Sequence, residues 1–177
     1  TSNEGLVGPL YANVIRHALE RADHATQWIF IGHRGLRLLG ARAGSPTKIF
    51  GGGAGHARLM PFPSEDAAPL QMRRLSQVVL TQFLQGGLRD VWLVAPHFLS
   101  ATRQTVSTHQ LLPLPGRPQA ASARDRELVI EPSLHQVIEE LATLWVESVC
   151  LESFWSARRA EFAARALQME SSREELA

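Results

Sequence analysis

The residues of this chain whose types and spacing could do chemistry are its histidines, at positions 17, 24, 33, 56, 97, 109 and 135, and two glycine-rich turns. A helical zinc site needs two imidazoles about one turn apart plus a further thiolate, imidazole or carboxylate, and no two of these histidines have that spacing. The single cysteine, Cys150, lends them no support. Gly51-Gly52-Gly53-Ala54-Gly55 is flexible enough to wrap a phosphate, but a P-loop also supplies a lysine and a hydroxyl residue and then opens a helix, and none of these follows. The stretch reads as a flexible loop. Gly32-His33-Arg34-Gly35 falls between a strand and a helix, where helix N–H groups can hold an anion. It lacks the full dinucleotide fingerprint, and a tight turn accounts for it. No G-x-S-x-G elbow presents a serine nucleophile. His97 and His109 fall on the two arms of an expected hairpin, where they could approach each other, though ordinary strand positions explain both. Without a constellation that can turn over a substrate, the sequence points to a structural or interaction protein. The alternative is a small α/β enzyme, or a nucleotide- or phosphate-binding module, using Gly32 to Gly35 or Gly51 to Gly55.

The elements around these residues alternate between helix and strand. Gly8-Pro9 opens a helix with Leu10, Val14, Ala18 and Leu19 on its apolar face. Gln27 to Gly32 is a short apolar run of the kind a buried strand uses, and residues 33–44 return to a helical pattern that ends in glycine. Thr47 to Phe50 is a strand candidate. Ser64, with Glu65 and Asp66 behind it, predicts a helix start, and the amphipathic run to Leu84 stops at Gly86-Gly87. Asp90 to Phe98 carries the strongest strand pattern, and Thr102 to Leu112 pairs with it as a hairpin. Pro113 to Arg126 is a polar, proline-rich loop, and Glu127 to Ile130 a last strand candidate. The alternation predicts an α/β fold with a Rossmann-like, mainly parallel sheet flanked by helices.

The chain then closes on a run without glycine or proline. Ser133, with Gln136 three residues on, forms a capping-box pattern, and a helix from there to Ala177 would be about 65 Å long. A compact domain of this size is only about 40 Å across, so the helix is expected to protrude and to need a partner. Its first half carries Leu134, Leu141 and Trp155 in one seven-residue register, interrupted by Ser148, and Val137, Leu144 and Leu151 in another. Beyond Trp155 the surface thins to alanines, while Arg158 and Arg165 take over the second register and call for acidic or polar neighbours. Packing on the chain's own sheet is expected up to about Trp155 and not beyond. The expected division is an α/β foot over residues 1–131 and an axle helix over 132–177.

Composition excludes several classes. With 45% hydrophobic residues, 20% charged residues and a net charge of +1, the chain is an ordinary globular one without a nucleic-acid or membrane footprint. No run of eighteen apolar residues is present, and one cysteine makes no intrachain disulfide framework; Cys150 fits a small buried hydrophobe. The chain starts at Thr1, as a processed product or a piece of a longer protein would.

Several segments, in order, resemble the gamma subunit of F-type ATP synthases, the central rotor shaft. Gly5, Leu6 and Gly8 match that family's Gly-Leu-Cys-Gly-Gly-x-Asn turn, from which Val7, Pro9 and Tyr11 depart. The segment from Ile31 through Gly32 and Arg34 to Gly35 is similar to an Ile-Gly-x-Lys-Gly turn. The stretch from His97 to Pro115 resembles the long strand ending in Leu-Leu-Pro, and Glu131-Pro132 the start of the C-terminal helix. Trp145-Val146-Glu147-Ser148 is similar to Tyr-Val-Glu-Ser. Ala160 to Met169 resembles the signature Ser-Glu-x-Ala-Ala-Arg-Met-x-Ala-Met, with Ala160 and Ala166 replacing signature residues, and Ser171 to Glu175 lacks the Ala-Thr-x-Asn ending, as in a divergent bacterial paralog. The resemblance implies a non-catalytic rotor subunit without a cofactor, on the cytoplasmic face of the bacterial inner membrane. Its implied partners are the alpha and beta subunits of the catalytic head, the epsilon subunit and the c-ring. Glu161, Arg165 and Met169 are then expected nearest the catalytic ring, and Leu111, Leu112, Pro113, Arg117, Arg124 and Arg126 towards the c-ring. It also implies a long N-terminal helix before Thr1 and a C-terminal helix running past Ala177. Without the N-terminal helix, the exposed seam is expected to self-associate.

Overall fold

A glycine with positive φ, Gly8 at +53°, followed by Pro9 at the N-cap position, turns the chain into α1, Leu10–Leu19. In the computed structural model, which describes residues 7–23, 26–43, 57–114, 116 and 131–175, the chain forms two compact units. The first is Thr1–Asp66, Val94–Thr108 and Ser153–Ala177, and the second is Ala67–Leu93 and His109–Glu152.

In the first unit, α1 buries Leu10, Tyr11, Val14 and Ile15, one helical face at the expected spacing. Strand β1, Trp28–Ile31, ends at Gly32, whose φ of +90° only glycine adopts freely and whose N–H donates to the Met60 carbonyl at 2.9 Å. That turn leads straight into α2, His33–Ala43. Strand β2, Ala57–Met60, pairs with β1 in parallel, Phe30 opposite Leu59. The sequence did not announce β2: it is four residues long and has no β-branched or aromatic residue, so its pairing comes from β1 rather than from propensity. Phe30 and Ile15 form one apolar cluster, with Leu19, Trp28, Leu36, Leu38 and Leu59 against it. A second joins Val7, Leu10, Tyr11 and Val14 to Ala160.

In the second unit, α3 spans Ala68–Leu84. The expected cap at Ser64 is not used: residues 65–67 form a turn, Ala67 is the N-cap, and Pro69 occupies the first turn, where its missing N–H costs nothing. The far end is as expected: Gly86, φ +73°, and Gly87 donate N–H groups to the Phe83 and Gln82 carbonyls at 3.0 Å. Ala68, Met72, Leu75, Ser76, Val79 and Leu80 are buried along one face.

Strands β3, Val91–Phe98, and β4, Gln104–Leu112, form a separate two-stranded sheet. Five residues join them, too few for a parallel crossover, so the pair is an antiparallel hairpin. Its turn closes through Leu99 N–H to the Arg103 carbonyl at 3.2 Å and Arg103 N–H to the Ser100 hydroxyl at 3.1 Å. Among the described residues, then, there are two small sheets, one parallel and one antiparallel, instead of the single mainly parallel sheet expected. The strand candidates at Thr47 to Phe50 and Glu127 to Ile130 lie outside the described residues.

Helix α4, Leu134–Glu175, is a single 42-residue element, about 63 Å at the standard rise. Ser133 caps it: its hydroxyl accepts from Gln136 N–H at 3.3 Å and donates to Gln136 Oε1 at 3.2 Å, a variant of the reciprocal cap.

Candidate functional site

Helix α4 carries two different surfaces, one apolar and one charged. Within the second unit, Ala142, Val146, Val149 and Cys150 are buried on one face. A neighbouring face, about a third of the way round the helix, leaves Leu134, Ile138, Leu141, Leu144 and Trp145 exposed, with Leu141 58% accessible. Leu134, Ile138, Leu141 and Trp145 follow a 4–3–4 spacing, the seam of a helix made to pair with another helix. The second strip of that seam is therefore Ile138 and Trp145. Of the register expected there, Val137 and Leu151 are half-buried and only Leu144 is exposed. Within the first unit, Trp155, Phe162 and Met169 continue the seven-residue spacing and are likewise exposed.

The charged surface also lies in the first unit. Glu161 is fully buried, 0% accessible, and its Oε2 stands 3.3 Å from Arg165 Nη2 and 3.7 Å from Arg158 Nη1. Arg158 reaches a second carboxylate, Glu65 Oε1, at 3.5 Å. Its guanidinium also lies over two rings, 5.6 Å from the Phe62 centroid and 4.9 Å from that of Phe162, while Arg165 lies 5.5 Å from Phe162. Two residues earlier, the buried Ser156 hydroxyl accepts the Phe98 N–H at 3.0 Å and stands 3.1 Å from His97 Nδ1. The ring of His97 is thus engaged by Ser156, not paired with His109.

These contacts change the expected picture of the helix past Trp155. Ser156, Ala157, Ala160 and Glu161 are buried, so packing continues for about two turns beyond the point where it was expected to stop. The acidic neighbours that the arginines called for are the chain's own Glu65 and Glu161.

The positions expected at partner surfaces fall into three groups. Met169 is exposed, Arg165 is mostly covered, and Glu161 is wholly interior. Leu111 and Leu112 are buried core residues of the second unit, because adjacent strand residues point to opposite faces and the end of β4 is covered on both, whereas Pro113 is exposed. Arg117, Arg124 and Arg126 lie outside the described residues, as does the Gly51 to Gly55 loop. Phe62 and Glu65 were not anticipated as partners of the helix, nor Ser156 as one of its gripping residues. Their only trace in the sequence is an aromatic between two prolines and an arginine in an apolar register.

Among the described residues no group of three or more His, Cys, Asp or Glu is placed to hold a metal. An open cleft of about 330 Å³ in the first unit is lined by Val7 to Leu10, Asn13, Gln104, Ala164, Leu167, Gln168 and Ser171, none of them ionisable. Burial pushes the Cys150 thiol up to about 12, away from thiolate reactivity. No helix among the described residues is long and apolar enough to cross a membrane.

A family profile described as ATP synthase matches residues 1–176, and the curated relatives it aligns with are ATP synthase gamma chains. The chain belongs to the ATP synthase gamma-chain family. The gamma chain of Paracidovorax citrulli is 26% identical over 97% of this chain and 59% of its own length. That of Exiguobacterium sibiricum is 30% identical over 97% of this chain and 58% of its own. The chain therefore spans a little under three fifths of these relatives. Its fold is similar to a chain of the Tetrahymena thermophila mitochondrial ATP synthase central stalk and c-ring, with a TM-score of 0.70 at 19% identity, covering 97% of this chain and 73% of that one. A Euglena gracilis mitochondrial ATP synthase rotor chain gives a TM-score of 0.67 at 15% identity, covering 97% and 64%.

Proposed function

We propose that this chain is part of a central-stalk rotor subunit, transmitting rotation between a membrane c-ring and a catalytic head in ion-driven ATP synthesis or hydrolysis. The observation that carries the reading is the apolar 4–3 stripe left exposed on α4. A row of leucine, isoleucine and tryptophan in water is unfavourable by about 25 cal/mol per Å², and the geometry that removes it is a second helix alongside. Membership of the gamma-chain family supports this reading. The subunit does no chemistry of its own. It acts by presenting a different face to each catalytic subunit in turn, favouring different conformations by differential contact free energy.

In this proposal residues 1–131 form the foot, completing a wider Rossmann-like sheet, and 132–177 the axle. The foot faces the c-ring and the epsilon subunit through Pro113 and the loop carrying Arg117, Arg124 and Arg126. Met169 and Phe162 face the alpha and beta subunits. Glu161 and Arg165 serve them indirectly, by holding the helix surface in shape, and the buried Leu111 and Leu112 anchor the end of β4 that leads into Pro113. The assembly sits peripherally on the cytoplasmic face of the bacterial inner membrane.

The test is complementation and purification. The complete protein carrying this chain, expressed in a bacterium deleted for its own gamma chain, should co-purify with alpha, beta, epsilon and c subunits and restore ATP-driven ion pumping. Failure to co-purify, together with reproducible thermal stabilisation by a nucleotide, would replace the rotor with a nucleotide-binding module.

A further inference from the structure

A helix that carries torque has to be held against rotation in its socket, and the buried face of α4 in the first unit begins with one aromatic, Phe154, 5.3 Å from the Phe62 ring centroid, and continues with the small residues Ser156, Ala157 and Ala160. Ala157 and Ala160 are buried there, the latter in the cluster with Tyr11 and Val14. Apolar packing has no direction, and beyond Phe154 the small side chains give shallow ridges, so that stretch resists sliding and turning poorly. Directional contacts have to supply the resistance, and on α4 they come from Ser156, Arg158 and Arg159.

Arg158 makes two of these contacts at once, to Phe62 and Glu65, and is itself held in place by Glu161 and Phe162 of its own helix. Its guanidinium lies 5.6 Å from the Phe62 ring centroid and 4.9 Å from that of Phe162, with Glu65 Oε1 at 3.5 Å and Glu161 Oε2 at 3.7 Å. Phe62 and Glu65 follow directly on β2, so a load on Arg158 passes into the β1–β2 pair and its apolar cluster. Ser156 grips elsewhere: its hydroxyl takes the Phe98 N–H at 3.0 Å and meets His97 Nδ1 at 3.1 Å, and Arg159 lies 5.7 Å over the Phe98 ring. Residues two apart on a helix point about 200° away from each other around the axis. Ser156 and Arg158 therefore hold nearly opposite sides of α4, one on the end of β3 and the other on the segment after β2, and together they oppose rotation in both senses.

We infer that Arg158, backed by Ser156, is the torsional clamp that fixes α4 to the first unit, a positioning residue for torque transfer. The inference rests on the rotor reading. Lysine does not replace it, because the flat guanidinium is what stacks between two rings while bonding two carboxylates.

The test uses the complete subunit, free and in the assembled complex, with Arg158→Met, Arg158→Lys and Glu65→Gln. In the free subunit, backbone amide exchange in residues 57–66 should quicken at least tenfold in Arg158→Met and less in Arg158→Lys. In the complex, ions moved per ATP hydrolysed should fall at least twofold in Arg158→Met while hydrolysis itself is kept, with Arg158→Lys between it and the unaltered protein. Glu65→Gln, at a mostly exposed position, keeps the fold and should move both readouts in the same direction by a smaller factor. Unchanged exchange in Arg158→Met, or quicker exchange with unchanged coupling, overturns the clamp. If Arg158→Met does not assemble, Arg158→Lys and Glu65→Gln decide by the same two readouts. An unaltered subunit that never joins a catalytic head removes the rotor reading, whereas an assembling one that is indifferent at Arg158 and Glu65 removes only the clamp.

Discussion

The two ends of α4 solve opposite problems with the same backbone. Between Leu134 and Glu152, in the second unit, the helix buries small apolar residues on one face and exposes larger ones on the next, and no charge is interior. Between Ser153 and Glu175, in the first unit, its interior contains a carboxylate and two serines beside Phe154 and two alanines, and arginines line the edge. Apolar burial holds any partner of roughly the right shape, whereas a buried ion cluster accepts one geometry. The lesson is that one helix can be adaptable at one end and specific at the other.

The largest effect expected from this contrast is at Glu161. Replacing it by alanine leaves Arg158 and Arg165 partly buried beside an empty space, at a cost of about 3 kcal/mol. For a chain of this length that lowers the thermal midpoint by roughly 6–12 °C. A shift under 2 °C in thermal unfolding would show that the cluster is effectively solvated and erase the contrast. Next come two apolar truncations in the second unit. Met72→Ala, at 1% accessibility, should cost about 2–4 kcal/mol, and Leu141→Ala, on the exposed stripe of α4, under about 0.5 kcal/mol. Equal losses in urea unfolding would mean that the stripe is covered in solution.

The stripe sharpens the comparison through association. At high concentration the chain should self-associate through Trp155, Phe162 and Met169, and polar replacement at all three should return it to a monomer by light scattering. A strict monomer without replacement would count against an open seam. The smallest effect is at Cys150. Its thiol, raised from 9.0 to about 12 by burial, has a thiolate fraction near neutral pH roughly a thousandfold below that of a free thiol. Alkylation at pH 8 should be at least a hundredfold slower in the folded chain than in urea. Because the folded value is the higher one, the associated stability is complete below about pH 9 and is lost as pH rises from there towards 12.

How much was legible depended on distance along the chain. The Gly8-Pro9 start of α1, the Gly86-Gly87 stop of α3, the Ser133 cap and the hairpin turn all rest on contacts within a few residues, and the sequence predicted all four. Strand β2 and the Ala67 cap of α3 were misread because their local signals are weak or compete with a better-looking cap nearby. The clamp was not legible at all: Ser156 meets Phe98 and His97 from 58 and 59 positions away, and Arg158 meets Glu65 from 93.

By itself, the amino-acid order determined a long capped helix with an apolar stripe and the family to which it belongs, since capping, periodicity and ordered short motifs are written in neighbouring residues. Only the tertiary structure decided that Glu161 faces inward, that Leu111 and Leu112 are core, and that the strands among the described residues separate into two small sheets. Each of those outcomes depends on which distant surface arrives to exclude water, and that competition is resolved only when the whole chain packs.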